Sequence, residues 1–350
     1  MRYVSGLFFF LVLLSCKKEK TTTPSVNTLS NGALVLCEGL FQQNNATLSW
    51  VDFSKEEVTN DFFTQQNGRQ LGDTGNDLEV YGNKIYVVVT NSSILEVIDK
   101  SNGKSIKQID MKANGVGKQP RSIAFYQGKA FVSCFDGYVD VIDTISLEIE
   151  QRIKVGLNPD ALLVNGNQLL VSNSGGLNSP QMDSTLSIID LNSLTELKKV
   201  VVGKNPGKIA LSEEGNIYVI TRGNYGSIPS RMKKLNPVSY AIEKSFNLDV
   251  SSIENFDNQF ILSHFNYSNN QVSISLFDSQ LDTIVQENFI SASNFTTYYG
   301  LIYNEKQEKI YCFDAMSYTN TGYVKVFNKQ GQYLKDYHLA LNPSKIVFIE

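Results

Sequence analysis

The chemistry this chain can do is bounded by its histidines. There are two, His264 and His338. A zinc site needs three or four protein ligands, so His264 alone cannot build one. The Asn- and Asp-rich segments lack the twelve-residue ligand spacing of a calcium loop. Neither a metal site nor a cofactor is expected. Gly72-Asp73-Thr74-Gly75 opens no helix and is not a phosphate loop. Ser174-Gly175-Gly176 fails as a nucleophile elbow for the same reason. Glu38 and Asp314 are a conceivable carboxylate pair for acid–base work, but no partner group supports that role. With no catalytic constellation in view, the expected activity is binding rather than catalysis.

Binding chemistry is better represented. Arg121 and Arg222 carry forked donors suited to an anionic or amide-bearing ligand. Around them in sequence stand Phe41, Phe135, Tyr225, Phe265, Tyr267, Tyr298 and Tyr318, with Asn173, His264 and Asp314 as polar company. Aromatics mixed with adaptable polar groups have the composition of a recognition surface. Each also has a plainer reading: the arginines solvated or bonded to neighbouring loop carbonyls, the aromatics packed between sheets.

What positions these residues is a repeat. The stretch 117–159 begins at one Gly-x-x-Pro and ends at the next. Between them lie four short runs rich in β-branched and aromatic residues, 122–126, 130–134, 138–142 and 149–155, each bounded by turn residues. The third run closes on an Asp, and that marker recurs at Asp52, Asp99, Asp143, Asp190, Asn236, Asp278 and Asn328, spaced 47, 44, 47, 46, 42 and 50 residues. Asp and Asn suit the place because their side chains bond backbone amides two residues on. A period of ~40–50 residues with four strands per copy specifies an all-β fold, a seven-bladed β-propeller of four antiparallel strands per blade. Gly-x-x-Pro opens blades at 117–120, 156–159 and 203–206, with Leu341-Asn342-Pro343 a degenerate copy. The first blade shows only three strands, 33–37, 47–52 and 58–63, while 344–349 matches an opening strand and then stops. The C-terminal strand is therefore expected to complete the N-terminal blade and remove a free edge. The propeller spans residues 33–350.

In such a ring the loops between strands two and three share a face with the blade-opening loops. The former are 38–46, 90–93, 135–137, 173–184, 221–231, 264–270 and 314–322; five are long, and they carry most of the candidate binding residues. Long loops on one face of a rigid scaffold are the usual place for binding. The remaining cysteines, Cys37, Cys134 and Cys312, each end a second strand. They read as buried small hydrophobes, and only Cys37 and Cys312 come from copies near enough to pair. A net charge of −4 with no basic stripe leaves nucleic acid without an electrostatic footprint.

Residues 1–15 are not part of the fold. Val4 to Leu14 is an apolar run of eleven residues, the length of a signal-peptide core and about half of the ~20 that a membrane span needs. Leu13-Leu14-Ser15-Cys16 resembles a bacterial lipobox, which implies cleavage before Cys16 and its lipidation. A polar tether follows, to about residue 32. The segments Ile85-Tyr86-Val87-Val88-Val89-Thr90-Asn91 and Leu95-Glu96-Val97-Ile98-Asp99, followed by Gly-x-x-Pro-x-x-Ile, resemble the YVTN repeat, and 169–173, 186–190 and 203–209 repeat the pattern. Blades five to seven depart from it, with Asn at 236 and 328. YVTN or YncE-like proteins are exported seven-bladed propellers. A lipoprotein of this kind resembles those of Bacteroidota. One branch of these binds cobalamin at the outer membrane and hands it to a TonB-dependent transporter. The resemblance thus implies an outer-membrane lipoprotein of the cell envelope, with a corrinoid the leading ligand and a transporter the leading partner. The basic Lys17-Lys18-Glu19-Lys20 is unlike an acidic surface-export tag, so the leaflet stays open. The alternatives are a lactonase- or quinoprotein-like propeller enzyme and a structural envelope protein.

Overall fold

In the computed structural model the described residues are 28–266, 269 and 271–350. Cys16, the apolar run before it, the tether to residue 27 and Tyr267 lie outside them. The described chain forms seven four-stranded antiparallel sheets and one two-stranded hairpin. Six sheets are sequential in the chain. The seventh takes Gly32–Cys37, Thr47–Asp52 and Glu57–Thr59 from the start and Pro343–Ile349 from the end. Gly32 pairs with Ile349 and Val35 with Ile346, so the last strand is the inner strand of the first blade. This is the closed seven-bladed propeller that the repeat implies.

Each blade is buried on both faces, which explains its apolar runs. In the second blade Val87 and Val89 pack toward the first blade, while Tyr86 and Val88 pack toward the third. Continuous Val/Ile runs are the signature of a strand covered on both sides. The same rule gives seven apolar clusters among the described residues, one between each pair of neighbouring blades. The Asp and Asn markers do the work their chemistry suggests. Asp52, Asp99, Asp143, Asp190, Asn236, Asp278 and Asn328 all accept a hydrogen bond from the backbone N–H two residues on.

Three local features differ from the sequence reading. The first blade's outer strand stops at Thr59 instead of running to 63. Phe62–Asn67 turns into one short helix, because Phe62 and Phe63 are needed in the core against Trp50 and Ile98. The sixth blade's supposed loop from His264 begins as strand: Gln259–Asn266 pairs with Gln271–Asp278, and His264 faces Ser273. Finally, a hairpin of Lys112–Ala113 and Val116–Gly117 joins the second and third blades. The described cysteines are free and buried. Cys37 faces the core between the last and first blades and Cys312 the core between the sixth and seventh, so they do not pair. Burial pushes the Cys37 thiol up to about 12, which keeps it an inert thiol.

Closure makes a direct prediction. Ile346, Val347 and Ile349 are buried, and removing three such side chains forfeits about 5–9 kcal/mol. Deletion of residues 342–350 should lower the melting temperature steeply or abolish folding. An unchanged melting temperature would rule out this closure.

Candidate functional site

The blade-opening loops place the site. Gln119, Asn158 and Asn205 sit just before the blade prolines with φ of 54, 43 and 55°. This left-handed turn aims their carbonyls at the residue that follows strand two of the same blade. Phe135 N–H donates to Gln119, Ser174 to Asn158 and Arg222 to Asn205, at 3.1, 3.2 and 2.9 Å. The second-to-third loops are thereby tied to the ring axis at their first residue. After each proline the inner strand slips register against strand two, between Pro120 and Ile123, Pro159 and Leu162, and Pro206 and Ile209. The residue after the proline holds the same place in three successive blades. It is Arg121, then Asp160, then Gly207.

These three positions and Arg222 form one cluster. Arg222 Nη1 is 2.9 Å from Asp160 Oδ2, and Arg121 Nε is 3.4 Å from Asp160 Oδ1. The Arg121 guanidinium lies over the Phe135 ring at 4.6 Å. Gly207 is the seat for Arg222: a Cβ there would meet the guanidinium carbon at 2.7 Å. Burial alone would raise the Asp160 pKa, but Arg222 and then Arg121 outweigh it and hold the carboxyl below its usual range. Asn76 extends the chain to the second blade by donating to the Arg121 carbonyl at 2.5 Å.

Two cavities meet at Arg222. One is a cleft of about 500 Å³ between the fifth and sixth blades, lined by Arg222, Tyr225, Ile228, Asp249, Ser251, His264, Phe265 and Asn266. Its fifth-blade wall is a loop folded on Asn224, whose side-chain oxygen accepts from the N–H groups of Gly226 and Ile228. Gly223 permits the turn at φ 69°, where a Cβ would strike the Ile228 carbonyl. Across it, Ser251 Oγ and His264 Nδ1 share a hydrogen bond at 3.1 Å. The other cavity, also about 500 Å³, lies on the axis and is lined by Glu38, Glu79, Lys208, Glu254, Tyr298, Tyr299, Tyr318 and Lys345. Arg222, Ser251 and Phe265 border both. Glu79, Glu254 and Ile302 continue into a cavity of about 470 Å³ beyond it, so the axis is a channel.

The channel charges are mostly paired. Lys345 meets Asp77 at 2.9 Å and Lys208 meets Glu254 at 3.5 Å. Glu38 accepts from the Tyr299 hydroxyl at 2.7 Å, yet burial still raises its pKa. The Glu79 side chain is exposed to the channel, while the protein packed around it desolvates its carboxyl. Burial and then Asp77 push its pKa up to about 7. Among the described residues no group of three or more His, Cys, Asp or Glu is placed to hold a metal.

The candidate residues are thus sorted by place. Arg222, Tyr225, His264 and Phe265 come together in the cleft, and Tyr298 and Tyr318 line the axial cavity. Arg121 and Phe135 stand behind Arg222's partner. Phe41 is well exposed on the first blade and lines neither cavity. Asn173 is fully buried, accepting from Gly156 N–H and donating to Thr185 and Ser187, so its amide is spent on the scaffold. Asp314 is also buried, and its carboxylate accepts from the N–H groups of Thr296, Thr297 and Met316 and pairs with Lys325. Burial alone would raise the Asp314 pKa; these bonds hold it below the usual range. Asp160, Gly207 and Ser251 went unnoticed in sequence. The first two had a signal, since they follow the same Pro that Arg121 follows.

The fold and the cleft define a closed seven-bladed β-propeller with its candidate site on the loop face. The profile of the DUF5074 family, a domain of unknown function, matches residues 31–348, and the chain belongs to that family. No curated protein matches the sequence. Among solved structures it is similar to a quinonprotein alcohol dehydrogenase-like protein from Bacteroides thetaiotaomicron VPI-5482, at 15% identity and TM-score 0.67, over 92% of this chain and 79% of that one. It is also similar to the dihydro-heme d1 dehydrogenase NirN in complex with DHE, at 12% identity and TM-score 0.56, over 91% and 75%. A computationally designed protein, Ika8, matches at 13% identity and TM-score 0.57, over 89% of each chain. At these identities the likeness is one of fold.

Glu79 supplies a pH test. Its folded pKa of about 7 lies above its ordinary 4.5. Its contribution to stability is therefore fully present below about pH 4.5 and is lost as pH rises through about 7. Glu79→Gln carries no such loss. The variant's melting temperature should gain on that of the wild type between about pH 5 and pH 8, by a margin that the exposure of Glu79 keeps modest. A difference that does not change with pH would contradict the assignment.

Proposed function

We propose that this protein is a binding protein of the cell envelope that captures a small ligand in the cleft between its fifth and sixth blades. The observation that carries the reading is the convergence of Arg222, His264, Asn266, Tyr225 and Phe265 on one cleft continuous with the axial channel. A concave site with apolar walls and a few convergent polar groups, of a volume within ~300–1,000 Å³, is what a small-molecule site requires. Forked, imidazole and amide groups suit a ligand rich in amides and oxyanions, and a corrinoid is the leading candidate. The lipobox-like Leu13-Leu14-Ser15-Cys16 supports an YncE-like lipoprotein anchored at the outer membrane through Cys16. In that setting a TonB-dependent transporter is the natural recipient. Exposed Phe41, Leu177 and Tyr225 on the loop-bearing side give such a partner apolar contacts.

Calorimetry of the tether-free propeller with cobalamin and with cobinamide tests the corrinoid version. Heat that saturates at micromolar ligand is expected, and Phe265→Ala should weaken it at least tenfold. No heat at those concentrations sinks the corrinoid. A stoichiometric metal or chromophore in the purified protein would favour instead the propeller-enzyme reading that the names of two structural neighbours suggest.

A further inference from the structure

We infer that the ring-closing interface carries a second binding site, a cavity on the face opposite the long loops that takes a small aromatic carboxylate. This site goes beyond the cleft between the fifth and sixth blades and stands whether or not that cleft binds a ligand.

The cavity lies between the seventh and first blades and has a volume of about 330 Å³. That falls within the ~300–1,000 Å³ of small-molecule sites. Three rings wall it. Phe53 follows the Asp52 marker of the first blade, while Tyr311 and Tyr337 belong to the second and fourth strands of the seventh. Their centroids stand 6.3 and 6.2 Å from that of Phe53, with interplanar angles of 34 and 45°. Rings set at such angles offer faces and edges to a flat aromatic body.

The polar side of the cavity is cationic. Its lining holds two ammonium groups, those of Lys309 and Lys335, and no carboxylate. Lys335 is spent: it lies 2.5 Å from Glu56 of the first blade and 5.1 Å over the Tyr337 ring. The Lys309 ammonium has no hydrogen bond or ion pair among the described residues. The third blade shows what is missing. Lys129 and Lys309 both stand opposite the marker residue of their blade, and Lys129 is paired with Glu150. Gln151 lies opposite Val141 and Lys335 opposite Val326, each two residues before the marker. The residue that corresponds to Glu150 is therefore Leu334, which can hold no cation. Gln307 supplies a second donor. Its side-chain oxygen accepts from the Tyr311 hydroxyl, which leaves the amide nitrogen to donate. Carboxylates close by in the chain are engaged: Glu308 with Lys329 at 3.3 Å and Asp52 with Lys55 at 2.8 Å. A ligand carboxylate held by Lys309 and Gln307, with its ring among Phe53, Tyr311 and Tyr337, uses both sides of the cavity. Its bond to the ammonium is charge-assisted, about twice as strong as a neutral one.

Phenylacetate, phenylacetamide and acetate would each be titrated calorimetrically into the intact protein at constant ionic strength. Phenylacetate should saturate with a Kd on the order of 1 mM. Phenylacetamide, which lacks the charge, and acetate, which lacks the ring, should each bind at least tenfold more weakly. Lys309→Gln should weaken phenylacetate binding at least fivefold. Leu334→Glu restores, at an exposed position, the acid that the third blade carries, and should weaken binding several-fold by occupying Lys309. The three-ligand comparison on the wild type needs no variant, so the site stays testable even if Lys309→Gln fails to fold. Absence of saturable heat with phenylacetate up to tens of millimolar, equal affinity for phenylacetamide or for acetate, or unchanged affinity in either variant would each overturn the site.

Discussion

Everything in this molecule depends on one pairing, that of Gly32–Cys37 with Pro343–Ile349. Six blades can be made from consecutive chain, but a ring also needs its ends joined. Without the last strand the first blade would present an open inner edge, and the apolar residues Ala33 and Val35 would lose Ile346 from their shared core. Because every blade is buried on both faces, a gap at one interface exposes apolar surface on two blades at once. The terminal strand thus sets the geometry of blades far from it in sequence.

The candidate site is an example of that dependence. Arg121, Asp160 and Arg222 belong to the third, fourth and fifth blades, and the contacts between them span 39 and 62 residues. The facing wall with His264 and Phe265 comes from the sixth. No local segment holds these groups together; the angular spacing of the ring does. Within that frame, local chemistry does the fine placement. The left-handed turns before the prolines tie Arg222 and Phe135 to the axis, and the register slip after each proline puts Arg121 and Asp160 side by side. The electrostatic outcome is a cluster in which Arg121 and Arg222 share the Asp160 carboxylate and Arg222 borders both cavities.

Much of the architecture was legible in the sequence. The Asp and Asn markers fix seven turns by a local side-chain bond, and such bonds read directly from residue type. The orphan strand at the end of the chain likewise announces closure. What sequence hid were places where the core overrode local preference. Phe62 and Phe63 look like strand residues, but the first interblade core pulls them into a helical turn. His264 and Phe265 look like loop residues, but their pairing with Ser273 and Val272 extends the hairpin. The site was legible only in part for a related reason. Arg222, His264 and Phe265 stand out by type, whereas Asn173 and Asp314 differ from them only in what surrounds them. Both spend their polar atoms on buried backbone and side-chain partners, which only the folded chain reveals. Gly207 matters through the absence of a side chain, and nothing in a single sequence marks that.

The claim on which the account turns is that the closing strand belongs to the cooperative ring and is not a loosely added edge. Native-state hydrogen exchange of the intact protein measures this most directly. The account predicts that the amides of Pro343–Ile349 and Gly32–Cys37 that join the two strands exchange only through global unfolding, with the same opening free energy as the central strands of the fourth blade. Exchange of those amides through a low-energy local opening, while the fourth blade stays protected, would contradict it.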